Sequence, residues 1–177
     1  MSDADSAQHV LPDVLEPGLR LVFCGTAAGA RSARDGAYYA HPGNRFWRAV
    51  FAVGLTPRLL VPAEFPLMPG FGIGFTDVAK FHHGNDNQLP RGAYDAIALH
   101  AKIERAAPRV VAFTSKQAGM AALGRRTVAT GRQAEPFAGA IAWVLPSPSG
   151  QARGSWNLAT WQAMADEVRQ LAPGIDR

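Results

Sequence analysis

The chain has 177 residues, of which 47% are hydrophobic and 18% charged, and its net charge is +4. This composition predicts one globular domain, and the single cysteine excludes an internal disulfide, a four-cysteine zinc site and an iron–sulfur cluster. No apolar run is long enough to span a membrane and the acidic start is unlike a secretory signal, so we expect a cytoplasmic protein.

The charges are distributed unevenly along the chain. Residues 1–16 hold four acidic residues and no lysine or arginine, so the remainder carries 18 basic and 10 acidic side chains. Fifteen of the basic residues are arginine, the side chain best suited to phosphate. This balance is typical of a protein that binds a polyanion, and an arginine-rich composition alone would also produce it. We expect residues 1–12 to form a flexible leader and residues 13–177 a single domain.

The first half of the chain predicts a strand, a helix and a second strand. The apolar run at residues 19–25 predicts a buried strand, and we interpret its Cys24 as a buried residue rather than a nucleophile. Residues 44–54 then place four apolar side chains on one helical face: Phe46, Trp47, Val50 and Phe51. Four prolines predict short helical turns over residues 55–71, and residues 72–78 predict the second strand.

The second half of the chain continues the alternation. After a polar loop, residues 93–106 predict a helix and residues 109–115 a third, β-branched strand. A helix is expected to open directly at Lys116. Residues 140–147 predict the fourth strand, and residues 155–172 show the periodicity of a last helix.

Strands that alternate with helices predict a mainly parallel sheet covered on both faces, an α/β fold. In such folds ligands bind beyond the carboxyl ends of the strands. Four loops leave those ends, so any site should be built from them: residues 25–44, 77–91, 115–116 and 147–155.

Three motifs resemble those of one enzyme family. The stretch "LEPGLRLVFCGTAAG…YYAHPGNRFW" resembles the first motif of the mismatch-specific uracil/thymine DNA glycosylases, in which a strand leads into G-I-N-P-G, an aromatic and H/F-P-x-N-x-F-W. "GFGIGFTDV" resembles their second strand, and "LPSPSGQAR" resembles their second motif, L/M-P-N/S-x-S-G/A. The order and spacing fit over about residues 15–171.

The resemblance implies a three-layer α/β/α sandwich of the uracil-DNA glycosylase superfamily. It implies a monomeric enzyme without metal or cofactor that flips uracil, or another deaminated base, out of DNA and hydrolyses its N-glycosidic bond. The substrate would be uracil-containing or mismatched duplex or single-stranded DNA. Two alternatives stay open: a protein of this fold that binds lesions or abasic sites without turnover, and an unrelated nucleotide-binding protein. "GTAAG" lacks the glycine-rich patterns of the latter class.

The first motif departs from the family at its centre. Ala27 stands where the family has the Asn that helps to place the attacking water, and Ala28 stands where it has Pro. Alanine cannot orient water, although the backbone N–H groups of Thr26 and Ala27 can still bind a base. Asp77, at the end of the second strand, is our candidate for the catalytic carboxylate, with capping of a turn as the alternative. Weaker candidates follow it: Asp35, Asn85 and Asn87.

The resemblance also implies base and DNA contacts. Tyr39 matches the aromatic residue that stacks on the flipped base, and Ser147 is placed to bond the base or a flanking phosphate. Helix N-termini and small residues suit phosphates, so further residues are expected to contact DNA: Ser115, Lys116, Ser149, Gly150, Gln151, Ala152 and Arg153. One of the last three would fill the gap left by the base. We expect no metal site at the histidines and interpret them as structural or solvated: His41, His82 and His83.

Overall fold

The computed structural model describes residues 9–152 and 154–171. One sheet of five strands in the order β2–β1–β3–β5–β4 forms its centre. The strands are β1 (Leu21–Gly25), β2 (Ile73–Asp77), β3 (Val110–Phe113), β4 (Gly131–Arg132) and β5 (Ile141–Val144). Neighbouring strands pair in parallel except β4, which runs antiparallel to β5. The carboxyl ends of the four parallel strands therefore lie at one edge of the sheet.

The described residues also form five α-helices and three 3₁₀ helices, of which the last α-helix follows the final strand. The α-helices are α1 (Ala30–Asp35), α2 (Phe46–Ala52), α3 (Ala96–Ala106), α4 (Lys116–Leu123) and α5 (Leu158–Gln170). The 3₁₀ helices are Pro62–Phe71, Asp86–Gln88 and Arg91–Ala93. Within residues 9–152 and 154–171, no helix has the length and apolar character needed to cross a membrane.

Helices cover both faces of the sheet. Every residue of β1, β2 and β3 is buried, since both faces of these strands are packed. On one face, Phe23 and Phe75 meet α2 and α5, where the ring of Phe23 lies 4.9 Å from that of Phe46 and 5.8 Å from that of Trp161. On the other face, alternate strand residues pack against α3 and α4. The architecture is the three-layer α/β/α sandwich predicted from the sequence.

One α-helix and one strand were not predicted, and neither were two 3₁₀ helices in the polar loop after β2, Asp86–Gln88 and Arg91–Ala93. The loop after β1 contains the short helix α1, and β4 is a two-residue edge strand beside β5. Neither carries an apolar periodicity: β4 is only partly covered, and α1 buries a single residue, Ser32. In α2, Phe51 is 45% exposed, so the predicted apolar face holds for its other three members only. Cys24 is fully buried in β1, which confirms the structural interpretation.

The end of the expected leader lies on the folded body. Leu11 is 1% exposed, and the Val10 N–H donates to the Lys80 carbonyl at 2.8 Å. Val14 forms an isolated antiparallel bridge with Phe75 of β2. Residues 9–12 therefore pack with the domain rather than extend from it, because Leu11 is buried, Val10 bonds the loop after β2, and the Pro12 carbonyl accepts from the Tyr38 hydroxyl at 2.8 Å. Residues 1–8 lie outside the described residues.

Candidate active site

An open cleft of about 1050 Å³ lies at the carboxyl edge of the sheet. All four loops predicted to build a site contribute to its lining. Gly25 to Asn44 form one wall, Asp77 with residues 84–87 a second, residues 114–117 a third and residues 146–152 a fourth. The predicted site residues other than Arg153 therefore converge on one cavity; Arg153 lies outside the described residues.

Asp77 lies on the floor of this cleft. It is the last residue of β2 and pairs in register with Gly25, the last residue of β1. A Cβ at Gly25 would lie 2.7 Å from Asp77 Oδ1, closer than real side chains approach, so a glycine here leaves room for the carboxylate. Asp77 is only 6% exposed although it lines the cleft.

The surroundings of Asp77 favour its neutral form. Burial raises the pKa of Asp77 above its ordinary value, the nearby ammonium of Lys80 opposes this, and the carboxylate of Asp13 adds to it. Lys80 Nζ lies 3.6 Å from Asp77 Oδ2. A carboxyl group with a raised pKa in a cleft is typical of a proton-transferring or water-binding residue.

Tyr39 lies beside this carboxylate in a fixed position. Its backbone has φ 52°, an unusual left-handed conformation for tyrosine. One face of its ring stacks on Phe46, with 4.0 Å between centroids and 12° between planes. Its hydroxyl lies 3.0 Å from the hydroxyl of Thr114, which follows β3, and burial raises the pKa of Tyr39 well above its usual range. The ring is thus a rigid, neutral wall of the cleft.

The loop after β2 is fastened to the first motif. The Thr26 hydroxyl donates to Asp86 Oδ1 at 2.7 Å, and the Gly84 N–H donates to the Ala28 carbonyl at 2.9 Å. The Ala79 N–H donates to the Thr26 carbonyl at 2.7 Å. Ala27 lies between these anchors on the cleft wall, and its methyl group offers no hydrogen bond to a ligand.

The fourth wall is a chain of serine turns. The Ser149 N–H donates to Ser147 Oγ at 3.3 Å, and the Gln151 N–H donates to Ser149 Oγ at the same distance. In the unbound protein the Ser149 N–H is therefore already paired with Ser147. Arg45 anchors this wall: its N–H donates to the Pro148 carbonyl at 2.8 Å, and its guanidinium lies 5.4 Å from the ring of Trp156.

The third wall is the N-terminus of α4. The Ser115 side chain caps this helix by accepting from the Ala118 N–H at 3.0 Å. Lys116 follows at the first helical position, and both residues line the cleft. The positive end of the helix dipole and the lysine ammonium therefore add up at this point of the rim.

The weaker candidates separate into two groups. Asn85 and Asn87 line the cleft, whereas Asp35 does not and pairs instead with Arg31, with 2.6 Å between Nε and Oδ2. His41 accepts from the Gly43 N–H through Nδ1 at 2.9 Å, which fits a structural role. Within the described part of the chain, no three histidine, cysteine or acidic side chains are grouped as metal ligands.

Four residues at or beneath the site were missed from the sequence: Thr114, Asp86, Asp13 and Lys80. Thr114 lies near the end of the predicted third strand and directly follows β3, so its position at the carboxyl edge was a usable signal. Asp86 lies in a loop whose path the sequence does not define. The contact between Asp13 and Lys80 joins segments far apart in the chain, and no periodicity reports such a pair.

Comparisons with known proteins agree with this architecture. A solution NMR structure of a Methanosarcina acetivorans protein named "putative Uracil DNA glycosylase" matches with a TM-score of 0.60 at 23% sequence identity. The match covers 90% of this chain and 97% of that chain, so the two share a fold. The family model described as "Uracil DNA glycosylase superfamily" matches residues 12–168, nearly the whole chain and every wall of the cleft. The chain therefore belongs to the uracil DNA glycosylase superfamily.

Proposed function

We propose that this protein is a monofunctional DNA glycosylase that flips uracil, or another deaminated base, out of DNA and leaves an abasic site. The observation that carries the proposal is the buried Asp77 carboxylate on the cleft floor, in a superfamily member whose first motif has Ala27 at its centre. The motif resemblance supports a place beside the mismatch-specific uracil/thymine enzymes. The reaction as proposed needs no metal or cofactor.

The cleft holds the base between a ring and hydrogen-bonding groups. Flipping is required because the stacked duplex shields both C1′ and the base edge. The base enters beside the ring of Tyr39, whose other face is already held by Phe46. Backbone N–H groups of Thr26 and Ala27 and the hydroxyl of Ser147 bond the base edge. A ring fixed before binding loses little conformational freedom when the base stacks on it.

Asp77 replaces the missing motif side chain. Its carboxylate orients a water molecule and stabilises the positive charge that develops at C1′ as the bond to the base breaks. The bond electrons leave with the base, the water oxygen bonds to C1′, and the water proton passes to Asp77. Asp77 must be ionised for this, so activity falls at low pH as the carboxylate is protonated.

The rim binds the DNA backbone. Ser115 and Lys116 at the start of α4 contact one phosphate, and Ser149 and Gly150 approach the strand on the opposite wall. Gln151, Ala152 and Arg153 follow them, and one of these fills the gap left by the flipped nucleotide. For Ser149 the N–H exchanges its bond to Ser147 for the phosphate, or the hydroxyl makes the contact.

The test is release of uracil under single-turnover conditions. End-labelled oligonucleotides carry uracil in a single strand, opposite guanine or opposite adenine, and alkali cleavage reports abasic sites. We expect release from at least one context, and Asp77→Asn should lower its rate by about 10²–10³-fold. Absence of release from every context at excess enzyme contradicts the proposal, and an unchanged rate for Asp77→Asn removes Asp77 from it.

A second candidate function is lesion binding without turnover. Ala27 favours it, since the family's water-placing amide is missing, and so does an Asp77 whose environment resists ionisation. Tight gel-shift binding to abasic DNA, combined with no base release at any pH, identifies this function. Binding of a mononucleotide without binding of DNA contradicts both candidates.

A further inference from the structure

Four buried charges lie together under the floor of the cleft. They are the carboxylates of Asp13 and Asp77 and the ammonium groups of Lys80 and Lys102, so the charges balance. Lys102 is the most exposed, with 14% of its side chain accessible, and the other three are exposed by 6% or less. Removing these charges from water costs free energy of folding, so their burial is not explained by stability alone.

Lys80 is the centre of this cluster. Its Nζ lies 3.1 Å from Asp13 Oδ1 and 3.6 Å from Asp77 Oδ2, and it donates to the Tyr38 hydroxyl at 3.0 Å. The Tyr38 hydroxyl and Asp13 Oδ1 lie within hydrogen-bond distance of this ammonium group, and Asp77 lies at ion-pair distance. Neither Lys80 nor Asp13 lines the cleft, so an effect of Lys80 on the reaction must pass through its partners there, Asp77 and Tyr38.

Asp13 is itself held from two sides. The Thr76 hydroxyl donates to Asp13 Oδ1 at 2.7 Å, and Lys102 Nζ lies 2.7 Å from Oδ2. The backbone around it is paired as well, through Val10 to the Lys80 carbonyl and Val14 to Phe75. The segment from Val10 to Val14 is thus fixed against β2, the strand that carries Asp77.

We propose that Lys80, held by Asp13 and Tyr38, is a positioning residue that orients the Asp77 carboxylate and keeps it ionised for the reaction. The segment from Val10 to Val14 is then part of the catalytic apparatus. This inference rests on the proposed function for its kinetic consequences. Its structural part, a Lys80 shared between two carboxylates, does not depend on that function.

The geometry predicts opposite effects for the two partners of Asp77. Removal of Lys80 takes away the cation nearest to the carboxylate and leaves the repulsion of Asp13. Removal of the Asp13 charge ends that repulsion and leaves Lys80 with one carboxylate instead of two. A change that merely loosened the fold would shift the Asp77 titration in the same direction in both variants.

Other titratable groups face the cluster as well. Among the described residues, Cys24 of β1 and the two tyrosines Tyr38 and Tyr39 also interact electrostatically with Asp77. Burial raises the pKa of all three, so they stay uncharged near neutral pH. His9 faces Asp13, with 3.9 Å between Nδ1 and Oδ2, and a His9→Gln variant is the control for this contact.

The experiment compares the variants Lys80→Met and Asp13→Asn across a pH series. Single-turnover uracil release is measured from acidic to alkaline pH, and the acidic limb of the profile reports Asp77. We expect the limb to move to higher pH in Lys80→Met, with a rate about tenfold below wild type on that limb that recovers as the pH rises. In Asp13→Asn we expect the limb to move to lower pH.

Two measurements separate this inference from its alternatives. Lys102→Met is the matched control, since Lys102 is the other lysine that pairs with Asp13 and it lies farther from Asp77. We expect a smaller upward shift of the Asp77 titration in this variant. The Asp77 side-chain ¹³C signal, assigned with Asp77→Asn, gives the same titration by NMR without any substrate. Circular dichroism establishes that each variant is folded, and Asp13→Asn, an isosteric change, covers the case in which Lys80→Met does not fold.

The outcomes are distinct. Opposite shifts of the Asp77 titration in Lys80→Met and Asp13→Asn support the inference. An Asp77 titration that is unmoved in Lys80→Met, or that moves in the same direction in both variants, overturns it. If wild-type protein releases no base, the proposed function fails, and the NMR titration alone decides whether Lys80 holds Asp77.

Discussion

At the scale of single residues, the site depends on a carboxyl group whose environment works against its charge. The fold raises the pKa of Asp77, chiefly by burial, so the folded protein holds a proton there over a pH range in which the unfolded chain has lost it. Stability contributed by this group is therefore present at low pH and lost as the pH rises through the folded value. A buried carboxyl group that lowers the stability of the fold at neutral pH is typical of a functional site.

Asp77→Asn should consequently stabilise the protein while it lowers activity. The neutral amide fits the same space without a buried charge, and we expect Tm to rise by about 2–4 °C at neutral pH, equivalent to about 1 kcal/mol. The gain should disappear at acidic pH, where wild-type Asp77 is itself neutral. Thermal unfolding followed by circular dichroism at both pH values measures this; a lower Tm for the variant at neutral pH contradicts it.

Gly25 sets the position of Asp77 from the neighbouring strand. Because an added Cβ would lie 2.7 Å from Asp77 Oδ1, Gly25→Ala should turn the carboxylate away and reduce uracil release by about 10²-fold or more. The clash involves a side chain that can rotate, so the loss of Tm should be small. Gly92→Ala is the control, since no atom lies within 4 Å of its new Cβ. Equal rates for both variants would show that the contact is unimportant.

Two variants of Tyr39 distinguish the effect of base stacking from that of the hydroxyl hydrogen bond. Tyr39→Ala removes the ring and should weaken binding of uracil-containing DNA by about 1–3 kcal/mol, the usual value of base–aromatic stacking. Tyr39→Phe keeps the ring on Phe46 and loses only the bond to Thr114, so it should retain most of the affinity. Fluorescence anisotropy with a labelled oligonucleotide compares them. Equal losses for both variants would assign the effect to the hydroxyl.

At the scale of elements, β2 holds the N-terminal segment as well as Asp77. The N–H and carbonyl of Val14 pair with those of Phe75 at 2.9 and 3.0 Å, and Gly74 beside them leaves space for this approach. An added Cβ at Gly74 would lie 2.2 Å from the Val14 carbonyl oxygen. Backbone cannot rotate away as a side chain can, so the strand and the segment would have to separate.

Gly74→Ala should therefore destabilise the fold by about 1–3 kcal/mol or more and free the segment around Val14. Hydrogen exchange provides the local measurement: the Val14 amide should exchange faster in the variant than in wild type, while the amides of β3 change less. Gly70→Ala is the control, because its added Cβ meets no atom within 4 Å. Unchanged protection of Val14 would show that the segment is held by other contacts.

The elements were largely predictable, and the contacts between them were not. Apolar runs identified the four parallel strands, and the rule that ligands bind at their carboxyl ends identified all four walls of the cleft. Asp77 and Tyr39 were expected at the cleft because Asp77 ends a predicted strand and Tyr39 matches a motif residue, and both line it. The pairing of Asp13 with Lys80 could not be found, since an acidic residue near the start of a chain carries no local sign of burial. The bond of Thr26 to Asp86 was not predicted either, since it joins two loop residues that are 60 positions apart.

At the scale of the whole molecule, the arginine-rich composition and the position of the cleft together bear on DNA binding. Affinity for DNA should fall as salt rises, with a slope of log Kd against log salt of about 0.9 per neutralised phosphate. Lys116→Gln should lower that slope by about one. Arg105→Gln on α3, which does not line the cleft, is the matched control with the same charge change. Equal slopes for the two variants would place the phosphate contact elsewhere.

The buried position of Cys24 turns this residue into an internal probe of the fold. It is the one thiol of the chain, it lies fully covered in the interior strand β1, and burial raises its pKa well above the usual range. A thiol reagent can therefore reach it only after the sheet has opened. The rate of labelling in native buffer then measures how often β1 is exposed, without any engineered reporter. The rate of Cys24 labelling can therefore rank each variant proposed above by how often its sheet opens.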